Sequence, residues 1–311
     1  MVITKKIDFL FIRFPIILPI VYGFFIYSFP SYENLIIFFT LMLLAEPHFG
    51  ATLPFFLYSK NLPKILTEKI KFIFIPILII FFTIFFYFYF YEFFLLIFLG
   101  ANFYHVTRQS YGICKLYNKN VDEINVQEFF IYFFNIIFFI VALLRFGLGY
   151  FENNLLYLNM AILLSIFLMS TWYVKKFSFT KNFFTMITGI LIFYPICFVD
   201  KPIHAIIMGV TMHFSQYLIL THKITLKRKD KYKKFNFNFL IFIFIYGLLM
   251  ALSSSSPFAL ETSVPFLNEK LFKNLILIPL IGQMLHFYID SNLWKFSDKH
   301  HREVSLKHIV S

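Results

Sequence analysis

Apolar runs of membrane-spanning length constrain this chain more than any other feature. One reads "KFIFIPILIIFFTIFFYFYF" (71–90), without a polar side chain between Lys71 and Thr83. In hydrocarbon only a helix or a closed barrel satisfies its own backbone, and a helix needs about 20 such residues to cross. Hydropathy marks ten candidate spans, at 8–28, 34–58, 72–91, 93–115, 128–150, 154–173, 183–199, 202–221, 236–253 and 271–292. The expected fold is all-α: a polytopic integral membrane protein, with 1–294 as one transmembrane domain and 295–311 as a cytoplasmic C-terminal tail. The third and fourth spans are separated only by Tyr91–Glu92 and should form a tight hairpin. The basic start followed by an apolar run lacks a small-residue cleavage site, so it reads as a retained first helix.

Charge orients the chain. Of the 28 Lys and Arg, 24 fall in one alternating set of loops, which includes both ends, when Arg13 and Arg108 are counted with the nearest ends of their spans. Positive charge collects on the cytoplasmic side, so both termini are expected there, in an inner (cytoplasmic) membrane. This distribution also explains the net charge of +12. The run "KITLKRKDKYKK" (223–234) reads as a loop facing anionic lipid and not as a nucleic-acid contact. Cys114 and Cys197 both lie in apolar segments, and no disulfide framework is expected.

Polar residues inside such spans are costly and mark functional positions. His48, His105, His213 and His286 lie in spans two, four, eight and ten, all of which run in the same direction. They sit 11 to 15 residues from the start of their spans, about 17–23 Å in at 1.5 Å per residue. Each has a hydrogen-bonding residue at +4, on the same helix face: Thr52, Gln109, Tyr217 and Asp290. Imidazoles at one level suit a transition metal, and a metal-bound imidazole sends its second nitrogen to a nearby acceptor. His48, His105, His213 and His286 are therefore the expected metal ligands. Asp290, Gln109, Gln216, Tyr217 and Glu46 are the candidate partners, with Asp290 and Gln109 orienting imidazoles and Tyr217 or Glu46 handling a proton. Pro47 should kink its helix and free a carbonyl. His204, His222, His300, His301 and His308 are expected to be solvated, with the alternative for His222, nine residues after His213, that it lines a path from the cytoplasm. Spans two, four, eight and ten should form the inner bundle, the others the lipid-facing shell.

"EPHFG" (46–50), "FYHVTRQ" (103–109) and "HFSQY" (213–217) together resemble the Brp/Blh proteins, membrane-embedded β-carotene 15,15′-dioxygenases. The resemblance implies four histidines on a non-haem iron and an apolar polyene substrate. That family pairs two late histidines four apart, whereas Tyr217 stands four after His213 here, which makes His286 the expected fourth ligand. An iron-dependent oxygenase acting on a carotenoid-like or lipid-like substrate is the first expectation; another His-ligated metal fits the same residues. A haem electron-transfer protein and a transporter or channel with a polar midplane are the alternatives. Two stacked haems would need histidines at two levels. A transport site would favour matched broken helices.

Overall fold

The computed structural model describes residues 5–58, 60–151, 154–227, 235–259, 274–295 and 297–310, and every regular element among them is helical. Five helices are long and apolar enough to cross a membrane: Pro30–Phe56, Ile70–Tyr89, Val121–Gly147, Leu155–Phe177 and Pro202–Lys227. A sixth span is formed if Lys5–Arg13 and Ile17–Ser28 are taken together, although they meet at 60°. Pro15 explains that bend, because it forces Phe14 out of the helical region, to φ −146°. Phe90 alone separates Ile75–Tyr89 from Tyr91–Tyr117, close to where the sequence puts the break between spans three and four. Most of the basic run, 228–234, and most of the following outer loop, 260–273, lie outside the described residues.

The chain forms two compact units. One comprises the N-terminal segment through Phe24 and Phe103–Gln216; the other comprises Phe25–Asn102 and Tyr217–Ser311. In the first unit, Lys181–Leu191 packs on Val121–Ala142. Asn120 and Thr180 start these helices by accepting backbone N–H groups, which satisfies donors the first turn leaves open. Span seven was expected in the lipid-facing shell. Instead Thr185 to Ile190 are all buried, and the helix is only 11 residues long. Glycine permits this burial: a Cβ on Gly189 would come within 2.9 Å of Ile131, and one on Gly209 within 1.7 Å of the Ile192 carbonyl. His204, expected to be solvated, is buried and bonds Tyr22 at 2.8 Å.

In the second unit, Phe235–Ala259 packs against Glu46–Gly50, and Leu277–Leu293 against Ile75–Tyr89. Residues Leu41–Ala45 form a π-helical turn just ahead of Pro47, with the Glu46 N–H reaching back to Leu41. Proline has no N–H to offer, so the turn widens there, as the sequence implied. Gly247 seats a neighbouring helix in this turn. A Cβ at that position would lie 2.5 Å from the Met42 carbonyl oxygen and 2.6 Å from Pro47. Close helix approach through small residues substitutes for the hydrophobic drive that lipid removes. Gly247→Val should therefore reduce the thermal stability of the detergent-purified protein, by about 1–3 kcal/mol of overpacking. A surface change such as Leu249→Val should not.

The C-terminal residues do not behave as a solvated tail. Segment 299–310 is helical and buries His301, Val304, Ser305 and Ile309, while Lys223 donates to the Ile309 carbonyl at 2.8 Å. Asp298 caps the segment through the His300 N–H at 2.8 Å and pairs with Lys64, and His300 Nε2 meets Asn61 at 2.9 Å. Burial pushes the His301 imidazole down to about 4, with Lys64 acting in the same direction and Asp298 against it. The Lys64 hydrogen bond holds the Asp298 carboxyl at about 2. The released segment would therefore take up a proton at His301 near the ordinary value of 6.5, whereas the packed one resists until about 4. Packing should weaken as pH falls through that window, while the Asp298 contribution persists until pH drops below its ordinary value of 3.8. Hydrogen exchange in 299–310, corrected for intrinsic rates, should rise between pH 7 and 5, and His301→Leu should reduce the rise, the remainder coming from His300, which burial also holds below its ordinary value.

Candidate metal and proton-relay site

Within the second unit, His48 and His286 face each other with ring centroids 4.4 Å apart and planes at 68°. A nitrogen of one lies within 4.8 Å of a nitrogen of the other. Both are almost fully buried, at 1% and 2% exposure. The widened turn before Pro47 sets the angle from which His48 projects. His286 sits on Leu277–Leu293, where Phe49 packs edge-on against it at 5.1 Å.

A hydrogen-bond chain leads away from His286. Its Nδ1 lies 2.7 Å from Thr52 Oγ1, and Thr52 lies 3.2 Å from Asp290 Oδ1. The same carboxylate oxygen accepts the Tyr217 hydroxyl at 2.6 Å and the Trp294 indole N–H at 3.1 Å. Thr52 and Tyr217 are also 2.7 Å apart. Three donors converging on one buried oxygen suit an ionised carboxylate, since charge-assisted bonds are about twice as strong as neutral ones. The Thr52 proton is drawn to Asp290, which leaves Thr52 to accept from His286 Nδ1–H. That order assigns the tautomer and leaves the Nε2 lone pair available. An oriented imidazole with its second nitrogen tied toward a carboxylate is how proteins prepare a metal ligand.

Glu46 occupies its own buried niche. Its Oε1 accepts from Ser254 at 3.3 Å and from Gln283 at 3.5 Å, and Oε2 has no hydrogen-bond partner among the described residues. In the first unit His105 and His213 form a second buried pair, with centroids 5.5 Å apart and perpendicular planes. Gln216 does not serve an imidazole: its Nε2 donates to the Ile12 carbonyl at 2.7 Å, which ties its helix to the bent first segment. Gln109 is half-buried, one turn beyond His105. His48, His105 and His286 are each buried and carry ring nitrogens of the kind that bind a transition metal.

Asp290 therefore acts on His286 through Thr52, a bridge that spacing alone did not reveal. Ser254 and Gln283 were also unanticipated as partners of Glu46. Gln283 had a readable signal, lying three residues before His286 on one helix face. Compared with known family models, characterised proteins and solved structures, the chain matches none. Fold and site define the class by themselves: a helical protein with segments long and apolar enough to cross a membrane and buried histidines able to bind metal.

Asp290→Ala would strand the Tyr217, Thr52 and Trp294 donors in a dry interior at about 1–3 kcal/mol for each group left unpaired. A clear fall in melting temperature is expected, measured by tryptophan fluorescence or scanning calorimetry. Asp290→Asn should restore part of it.

Proposed function

We propose that this chain is a ten-span inner-membrane protein with both termini in the cytoplasm, which uses His48, His105 and His286 to hold one transition metal ion. The observation that carries this reading is the buried His48–His286 pair, with His286 Nδ1 tied through Thr52 to Asp290. His213, paired with His105, is assigned as the fourth ligand. Iron is the metal of choice. Neutral nitrogen ligands leave coordination positions open for redox chemistry, and no thiolate closes the set as in a structural zinc site. The reaction is oxygenation of an apolar, carotenoid-like or lipid-like substrate, in keeping with the resemblance to the Brp/Blh dioxygenases. The bilayer and that substrate are its partners; nucleic acid is not.

The bound iron would supply the activation of dioxygen. The chain's own residues hold and move protons around it. Asp290 balances the charge that builds on His286 when its Nε2 binds a cation, acting through the Thr52 hydroxyl. Glu46 Oε2, two residues before His48 and without a hydrogen bond among the described residues, is the group able to take a proton near the metal. Aromatic side chains keep bulk water out: Phe49 lies against His286, and Phe287 lies against Phe49 at 6.2 Å.

Metal analysis of the protein purified from membranes should find about one iron per chain, as expected for a single ligand set. His48→Ala, His105→Ala or His286→Ala should each lower that content at least about tenfold, in the range seen when metal-site residues are lost. His300→Ala, outside the set, should retain it. Full metal content in the His286→Ala protein would overturn the assignment, and haem absorbance would replace it with an electron carrier.

A further inference from the structure

A cavity of about 300 Å³ lies in the second unit, lined by Met42, Leu43, Pro47, Leu218, Ile219, His222, Leu240, Ile243 and Phe244. Three of these walls, Leu43, Leu240 and Phe244, are about half exposed on faces otherwise clad in apolar side chains, so the mouth opens sideways toward hydrocarbon. The inner wall reaches the functional core: Leu218 and Ile243 pack against Ala51, Tyr217 and Phe239. Pro47 closes the floor one residue before His48. His222 is the single ionisable group in the lining among the described residues; its ring lies nearly parallel to Phe239 with centroids 6.3 Å apart. Lys223 and Lys227 follow it on the same helix, where the basic run 223–234 begins.

The shape sets the ligand class. A volume at the lower bound of small-molecule sites, about 300–1,000 Å³, admits one chain and not a two-chain phospholipid. Among the described residues the only hydrogen-bonding side chain in the walls is His222, at one end, so the chain should be hydrocarbon and its polar head should sit there. The charged residues that follow His222 on its helix, Lys223 and Lys227, are positive, which favours a negative head. We propose that this cavity binds a single-chain anionic amphiphile of the long-chain fatty-acid type, taken from the bilayer, with its carboxylate at His222 and its chain against Leu218 and Ile243. The occupied cavity presses on the wall behind Tyr217, which gives the lipid a position from which to affect the Asp290 network. This site stands apart from the metal assignment, and either can fail alone.

The test uses the full chain in lipid nanodiscs and a palmitate analogue carrying a photoactivatable diazirine near its tail. Crosslinks should map to Met42–Pro47 and Leu240–Phe244. Unlabelled palmitate should compete about tenfold better than hexadecanol, the worth of one charge-assisted hydrogen bond. Leu240→Trp, which plugs the mouth from an exposed position, should cut specific labelling at least fivefold (about 1 kcal/mol) and leave metal content unchanged. His222→Gln should bring the two competitors level while labelling persists. Labelling spread along Ile70–Tyr89 and indifferent to Leu240→Trp would overturn the proposal. So would equal competition by hexadecanol in the unaltered protein.

Discussion

A carboxylate buried among helices needs donors, and Asp290 gathers three on one oxygen. Uncompensated burial of that charge would cost several kcal/mol, so the network is an all-or-none arrangement. Thr52 comes from the helix after Pro47, Tyr217 from Pro202–Lys227, and Trp294 from the end of the helix that carries Asp290 itself. Three chain segments distant in sequence are thereby fixed around one atom. The His286 ring inherits its orientation from this fixed point, and His48 faces it across 4.4 Å. The positioning of the donor pair thus depends on the satisfaction of one negative charge.

Much of this was legible before any coordinates. Residues four apart share a helix face, and that rule singled out Thr52, Tyr217 and Asp290, which do converge. Pro47 announced a disturbed turn, and the turn is there. Equal depth identified His48 and His286 as companions, because depth along parallel-running helices is a matter of counting. What counting could not supply is azimuth. It does not say that Gln216 points toward Ile12, or that Asp290 reaches His286 through Thr52.

The misread elements share a cause as well. Spans without a histidine at mid-depth are assigned to the lipid-facing shell, and Lys181–Leu191 falls among them. Gly189 and Gly209 instead let its neighbourhood close to backbone contact, and its apolar side chains face protein. The first span was drawn straight through Pro15, whose local restriction no window average registers. The C-terminal histidines were treated as solvated because the segment is rich in charge. Yet His301, Val304 and Ile309 recur at helical spacing and form a narrow apolar stripe that averaging conceals.

The π-helical turn at Leu41–Ala45 contains one residue more than an α-helical turn would hold. Each residue advances an α-helix by about 100°, so the direction in which His48 emerges depends on how many residues precede it as well as on which they are. Single-residue deletions and duplications in this stretch thus act as a rotary dial on the imidazole, and substitutions do not. Variation among descendants of such a gene would leave a distinct trace here: free exchange of apolar letters at fixed length, with gaps excluded.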